Sequence, residues 1–360
     1  DGIRADLEGL VGSEMCIRDR CGTFLQQELA VITGACDAMV VDIQCIFQNL
    51  ANVAKCFHTK LITTHPIAKM EQDNVIHIEF DEHHALEDAK RIVKLAIDNY
   101  ENRGAEVMIP KQKSPIVAGF GVESIEYHLG GTFRGSYYTL NDNIINGRIR
   151  GIGGVVGCNN ARTKHNEGHV QIVKELIKND VIVLTTGCNA IACAMEGLLT
   201  PETAAVFCGP GLAEVCETVG IPPVLHLGSC VDNSRILLAA TEVVNAGGLG
   251  KDISELPAAG SAPEWMSEKA ISIGHYFVAS GVYTVFGVTL PVTGAPVFQK
   301  YLFEEFEKMY GGMWDLEIDP IKHAQKMIAH IDKKRQALGI DRARERILVD
   351  MAARRDIEAA

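Results

Sequence analysis

The sequence predicts an α/β fold, and three observations carry that prediction. Short runs rich in β-branched residues and bounded by glycine, such as DAMVVDI, VIVLTT and PPVLHL, read as buried parallel strands. Between them lie segments with apolar residues at helical spacing and charges elsewhere, which is the alternation of βαβ winding. The 34 glycines suit a chain that turns tightly between strand and helix many times. Together these features predict two Rossmann-like, doubly wound parallel-sheet domains, the first incomplete at its N-terminus.

Taken in order, residues 1–20 read as a segment foreign to the fold. They are charge-dense, lack an apolar period and end in SEMCIRDR, which resembles translated adaptor sequence, so Cys16 receives no role. Residues 21–112 form the partial first domain. An amphipathic helix over 23–34 leads to a strand at 37–43 that delivers Cys45, followed by a helix at 46–57. Strands at 60–64 and 75–80 follow, and a helix at 84–101 turns Ile92, Val93, Leu95 and Ala96 inward. A polar stretch carrying Pro110 links it to the second domain, 113–340. There the pattern predicts strands at 115–120, 151–157, 180–186, 223–227 and 282–288. Helices are predicted at 122–129, 137–147, 167–179, 188–198, 201–207, 210–219, 232–246, 264–280, 296–309 and 319–337. Residues 341–360 carry dense charges with apolar residues at helical spacing and read as a charged terminal helix.

Composition narrows the function. A length of 360 residues accommodates two domains, each with a core. The net charge of −12 argues against nucleic acid as a partner. No apolar run approaches the ~20 residues that cross a bilayer. Eleven cysteines in such a chain point to a reducing, cytoplasmic setting and to metal chemistry rather than a disulfide framework.

Four of those cysteines share one context: Cys45 in DAMVVDIQC, Cys158 in GIGGVVGCNNAR, Cys188 in VIVLTTGCNAIACAM and Cys230 in PPVLHLGSCVDNSR. Each follows a predicted strand and precedes residues that open helices. Each thiol is therefore expected at the carboxyl edge of a sheet, where open α/β proteins bind ligands. The nearby helix start favours the thiolate, the form that binds metal. A single thiol in this context reads as a small buried residue, whereas four indicate a shared metal or iron–sulfur site. Their separations fit neither a compact zinc ribbon nor a ferredoxin. Cys21, Cys36, Cys56, Cys193, Cys208 and Cys216 read as core thiols. His83 and His84 read as surface residues, and His165 and His169 as an exposed loop and helix start. His226 reads as a satisfied buried histidine, with a hydrogen bond near the cysteine site as the alternative. Asn159, Asn233 and Arg235 are expected to cap helices and fix the cysteine turns, and Lys269 by itself is a lysine on an amphipathic helix.

In the order MVVDIQC, GCNNAR, TGCNA, HLGSCVDNSR and MSEKAISIG, residues 21–340 resemble the catalytic subunit of the anaerobic nickel–iron carbon monoxide dehydrogenases. The segment HTKLITT resembles the type that partners acetyl-CoA synthase. The resemblance implies that Cys45, Cys158, Cys188 and Cys230 ligate a Ni-Fe-S cluster that catalyses CO + H2O ⇌ CO2 + 2H+ + 2e−. It also implies a ferredoxin-like electron acceptor and a homodimer. Lys269 then stabilises bound carboxylate and assists proton transfer, and Ile273 lines the ligand pocket. Departures accompany it. The family's cluster also needs a histidine and a cysteine that would lie before Cys21, and its relay 4Fe–4S clusters sit in a helical domain without a counterpart here. No Cys-x-x-Cys pair occurs, and the Cys188–Cys230 gap is shorter than the family's. The chain therefore reads as the carboxy-terminal half of such an enzyme, inactive alone. The alternatives are a hybrid-cluster protein of the hydroxylamine reductase type, a zinc-stabilised domain, or a non-catalytic structural module.

Overall fold

The computed structural model describes residues 22–42, 46–109, 115–131, 135–292 and 294–341. The foreign-looking segment, the charged terminal helix and three of the cysteines discussed above (Cys16, Cys21 and Cys45) lie outside the described residues.

The first sheet is built from α1 (Gln27–Ile32), β1 (Ala38–Val41), α2 (Leu50–Ala54), β2 (Lys60–Thr63), β3 (Val75–His77) and α3 (Ala85–Asn99). Its strands are parallel in the order β1-β2-β3. Val31, Leu50, Ala51, Leu61 and Met70 fill its core. Asn99, at the end of α3, donates to the carbonyls of Asp37 and His58 at 2.7 Å and ties the helix to the start of the sheet. One expectation needs correction: Val93 is exposed, while Ile92, Leu95 and Ala96 are half-buried. At 100° per residue, 92, 95, 96 and 99 share a face, and 93 falls at its margin.

The second sheet follows α4 (Val122–Leu129) and α5 (Tyr138–Ile145). Its elements are β4 (Gly151–Val155), α6 (Glu167–Lys178), β5 (Val181–Thr185), α7 (Gly187–Met195), α8 (Thr203–Phe207), α9 (Pro210–Val219), β6 (Val224–His226), α10 (Ser234–Ala246) and β7 (Ala258–Ala262). Then come α11 (Glu268–Ala279), β8 (Thr284–Phe286), α12 (Pro296–Lys300), α13 (Phe306–Tyr310), β9 (Trp314–Leu316) and α14 (Pro320–Ala337). All pairs are parallel in the order β6-β5-β4-β7-β8-β9. The chain winds outward from β4 in one direction and from β7 in the other, so the crevice for a ligand opens between their carboxyl ends.

The central strand β7 was not expected from the sequence. AAGSA has no β-branched residue and so no strand signal. Its neighbour GIGGV is equally small because helices pack onto it. A side chain at Gly151 would strike Ile331 of α14, and one at Gly153 would press on Leu176 of α6. Conversely, 115–120 is not a strand. The amides of Gly119 and Phe120 both reach the His226 carbonyl at the edge strand β6, at 3.1 and 3.0 Å, but a positive φ of 95° at Gly119 ends the pairing there. The helix expected at 264–280 starts only at Glu268, and that at 296–309 is interrupted by a π-helical turn over Tyr301–Glu305. The short strand β9 carries too few residues to signal itself.

Buried His323 on α14 fastens that helix to the sheet. Its Nδ1–H donates to the Glu317 carbonyl at 3.0 Å, so Nε2 accepts the Ser261 hydroxyl at 2.7 Å. Burial pulls its pKa from 6.5 down to about 4, with Asp315, Glu317 and Lys326 around it pulling in opposing directions. Because the folded value lies below the unfolded one, this group's contribution is complete above about pH 6.5 and is lost as pH falls toward 4. By pH 4.5 the loss is expected to be about 2–3 kcal/mol. Urea unfolding at pH 7 and 4.5 checks it: His323→Gln should lose less stability on acidification than the wild type by that amount. Parallel losses in the two proteins would exclude His323 as the group responsible.

Candidate metal centre

Three of the four singled-out cysteines lie at the carboxyl edge of the second sheet, each delivered by a different strand. Cys158 follows β4 after Gly157, whose φ of 114° sharpens the turn. Cys188 is the second residue of α7, directly after Gly187 at φ 61°. Cys230 follows β6 after Gly228 at φ 131°. All three thiols are buried. The glycines are needed because each turn enters backbone space that side chains rarely occupy.

The turns are stitched to one another. Thr186 Oγ donates to Asn233 Oδ1 at 2.6 Å, and the Gly187 amide donates to the Gly228 carbonyl at 3.0 Å. Asn189 Nδ2 donates to the Val155 carbonyl at 2.7 Å and to Thr185 Oγ1 at 2.6 Å. The Cys230 turn is closed by Ser229 N–H on Asp232 Oδ2 at 2.7 Å, and Arg235 donates to the Leu227 carbonyl at 3.0 Å. Asn233 and Arg235 thus fix the turns as expected, but by bridging elements rather than by capping their own helices. Cys230 Sγ rests against Gly187 so closely that a methyl group there could not coexist with it.

Cys158, Cys230, Asn233, Lys269, Ile273 and Phe277 line one cavity at the β4/β7 crossover. Lys269 sits in the first turn of α11, where the helix dipole opposes a cation. Ile273, one turn on, supplies an apolar wall. Cys158 Sγ lies 3.6 Å from Ser267 Oγ. Cys188 is not among the residues lining the cavity; it adjoins Gly187, on which Cys230 Sγ rests. Among the described residues, no three His, Cys, Asp or Glu side chains converge where a single metal ion would sit.

Residues 15–321 match the Prismane/CO dehydrogenase family. The chain belongs to that family. Carbon monoxide dehydrogenase 1 of Methanosarcina acetivorans is 54% identical over 320 residues, which are 89% of this chain and 50% of that one. The carbon monoxide dehydrogenase/acetyl-CoA synthase subunit beta of Moorella thermoacetica is 37% identical, over 88% of this chain and 48% of its own. Among solved structures, a nickel-free carbon monoxide dehydrogenase from Thermococcus sp. AM4 superposes with a TM-score of 0.80 at 52% identity. It covers 88% of this chain and 49% of that one. An acetyl-CoA synthase/carbon monoxide dehydrogenase with NiZn and NiNi Fe4S4 clusters superposes at 0.81 and 36% identity, over 89% and 49%. The chain spans about half the length of the relatives it matches. These names disfavour the hybrid-cluster alternative.

The donor chemistry fits the family's kind of cofactor. Thiolates are soft ligands suited to iron–sulfur and nickel centres. Two such thiols, Cys158 and Cys230, open on one cavity from different strands.

Other expectations are corrected here. His169 is not exposed but fully buried under the Cys158 turn. Cys56 is exposed, and Cys36 and Cys208 are half-buried, so only Cys193 and Cys216 of the described set are buried core thiols. Burial pushes the Cys193 thiol up to about 12 and that of Cys216 higher still, which keeps both protonated and inert. His226 Nδ1 accepts the Gly228 amide at 3.0 Å, so this histidine shapes the Cys230 turn from behind. Sequence reasoning missed Glu264, which is almost completely buried beside Asn159. A single carboxylate between a proline and a tryptophan carries no periodic signal.

Proposed function

We propose that this chain supplies the cysteine ligands and a proton-handling lysine of a nickel–iron–sulfur centre that reversibly oxidises CO with water to CO2. The observation that carries the reading is the meeting of Cys158, Cys230 and Lys269 on one cavity at the crossover of the sheet. When bound, such a cluster supplies soft redox metals that polarise CO and acidify water. Cys45, Cys158, Cys188 and Cys230 hold it. Cys188 and Cys230 each open a helical turn at the sheet edge. The Lys269 ammonium faces the space where carboxylate charge develops, and it gives or takes a proton there. Ile273 and Phe277 keep bulk water from that space. The acceptor is a ferredoxin-like protein, reached through further 4Fe–4S clusters in the length that the relatives have beyond this chain. A homodimer, a cytoplasmic setting and an acetyl-CoA synthase partner belong to the same reading. The partner is supported by HTKLITT and by the similarity to the Moorella subunit.

The test is anaerobic reconstitution of the 360-residue chain with ferrous iron, sulfide and nickel, followed by metal analysis. Wild-type chain is expected to retain iron and sulfide, and Cys158→Ser and Cys230→Ser each to lose most of both. Equal iron in the two variants and the wild type would sink the reading. Lys269→Gln should retain the metals. With a viologen acceptor, the chain on its own is expected to give negligible CO oxidation. Robust turnover would show that the remaining length of the relatives is dispensable.

A further inference from the structure

Behind the Cys158 turn lies a buried polar unit to which the reaction assigns no role. His169, the third residue of α6, is fully buried, and its Nε2–H donates to the Cys158 carbonyl at 2.7 Å. A carbonyl only accepts, so this nitrogen carries the proton. The next residue, Asn159, donates from Nδ2 to Glu264 Oε2 and to Asn166 Oδ1, both at 2.9 Å. Glu264 Oε1 accepts the Gly168 amide at 3.0 Å, so its carboxylate sits at the amino end of α6, where the helix dipole favours it. Its other oxygen is 4.0 Å from His169 Nε2. Asn166 holds a left-handed φ of 65°, a strained conformation for a residue with a side chain. Glu264 lies in the segment between β7 and α11, and Lys269 in the first turn of α11 into which that segment leads. One hydrogen-bonded unit therefore joins the Cys158 turn, the first turn of α6 and the loop that leads into the helix carrying the lysine.

We infer that His169, Asn159 and Glu264 are positioning residues that preset the Cys158 sulfur in the cavity, in register with Lys269, before any metal arrives. The inference rests on the reading of Cys158 as a ligand, but its test does not need the cluster. Fixing a ligand through its backbone and through a neighbour's side chain is how a protein makes a metal site rigid without adding donors. The hydrogen bonds to the Cys158 carbonyl, from Asn159 Nδ2 and from the Gly168 amide offset part of the cost of burying a carboxylate and an imidazole together.

The experiment is pulsed iodoacetamide labelling of the metal-free 360-residue chain, with the modification of each cysteine read by mass spectrometry. In His169→Leu, Cys158 is expected to label about tenfold faster than in wild type, the size of effect that loss of one buried hydrogen bond produces. Cys193 and Cys216, buried elsewhere in the core, should keep their wild-type rates. His169→Gln, whose amide N–H reaches the same carbonyl, should restore slow labelling of Cys158. Iron retained at limiting iron should fall in His169→Leu and recover in His169→Gln. An unchanged Cys158 rate would overturn the inference, as would acceleration of all three cysteines together or identical behaviour of the two variants. If His169→Leu does not fold, Asn159→Ala removes the other arm and is held to the same outcomes. Failure of the wild-type chain to bind iron would count against the metal-centre reading and leave the labelling result standing.

Discussion

Gly187→Ala is expected to unseat Cys230, to destabilise the chain by about 2–5 kcal/mol and to abolish iron retention. Two effects combine. The residue holds φ at 61°, a region that costs an alanine about 1–2 kcal/mol. The added methyl would also fall well inside the 3.0 Å that real Cβ contacts respect, against Cys230 Sγ. Relief requires moving a buried thiol or the backbone of the adjoining turn, and overpacking of this kind costs about 1–3 kcal/mol more. Gly220→Ala separates the two effects. Gly220 ends α9 at φ 77°, yet nothing lies within 4 Å of the position its Cβ would take. That variant should show the backbone cost alone and keep its iron. Denaturant unfolding and iron analysis of both proteins decide it; equal losses in the two would mean that Cys230 does not depend on the bare Gly187 surface.

Arg335→Ala is expected to cost about 3–5 kcal/mol in urea unfolding while leaving iron retention intact below the melting temperature. The guanidinium, buried in α14, donates to three backbone carbonyls: Ile144 at 2.7 Å, Arg150 at 3.1 Å and Ile340 at 2.6 Å. The Ile144 carbonyl belongs to the last turn of α5, where a cation is favoured. This one side chain therefore joins α5, the entry to β4 and the end of α14. Its planar fork serves several acceptors at once, which a lysine ammonium does less well. Arg335→Met keeps the apolar stem and removes the donors, so it should fall nearly as far as Arg335→Ala, with Arg335→Lys between. A wild-type-like Arg335→Met would show that packing of the stem, not the hydrogen bonds, carries the effect. The cysteine turns lie at the carboxyl edge of the sheet, whereas Arg335 binds at the amino edge of β4, which is why metal retention should survive.

Legibility differed from element to element for physical reasons. Strands β5 and β6 read clearly because VIVLTT and PPVLHL are apolar throughout and end in the residues of a turn. The amphipathic α6, with Ile172, Val173, Leu176 and Ile177 buried, was equally plain. Strand β7, paired between β4 and β8, was invisible because AAGSA holds no β-branched or aromatic residue. The segment at 115–120 looked like a strand, since local propensity cannot register that its amides reach only isolated carbonyls, Leu199 and His226, rather than a continuous ladder. Among the candidate site residues, strand-to-helix context singled out the cysteines, and likeness to a family drew Lys269 and Ile273 to them. His169 was misjudged and Glu264 unnoticed, because Glu264 is held by Asn159 and Gly168, 105 and 96 residues away in the chain, and packs beside His169.

By itself, the sequence determined the alternation of strand and helix, the placement of Cys158, Cys188 and Cys230 at strand ends, and the acidic surface, since periodicity, turn residues and charge are local properties. Only the tertiary structure decided that the second sheet reverses between β4 and β7, that Cys158, Cys230 and Lys269 share one cavity there, and that a buried imidazole and carboxylate brace the Cys158 turn. Strand order and side-chain convergence depend on which distant segments pack together, and packing energy is summed over contacts that no single window of sequence contains.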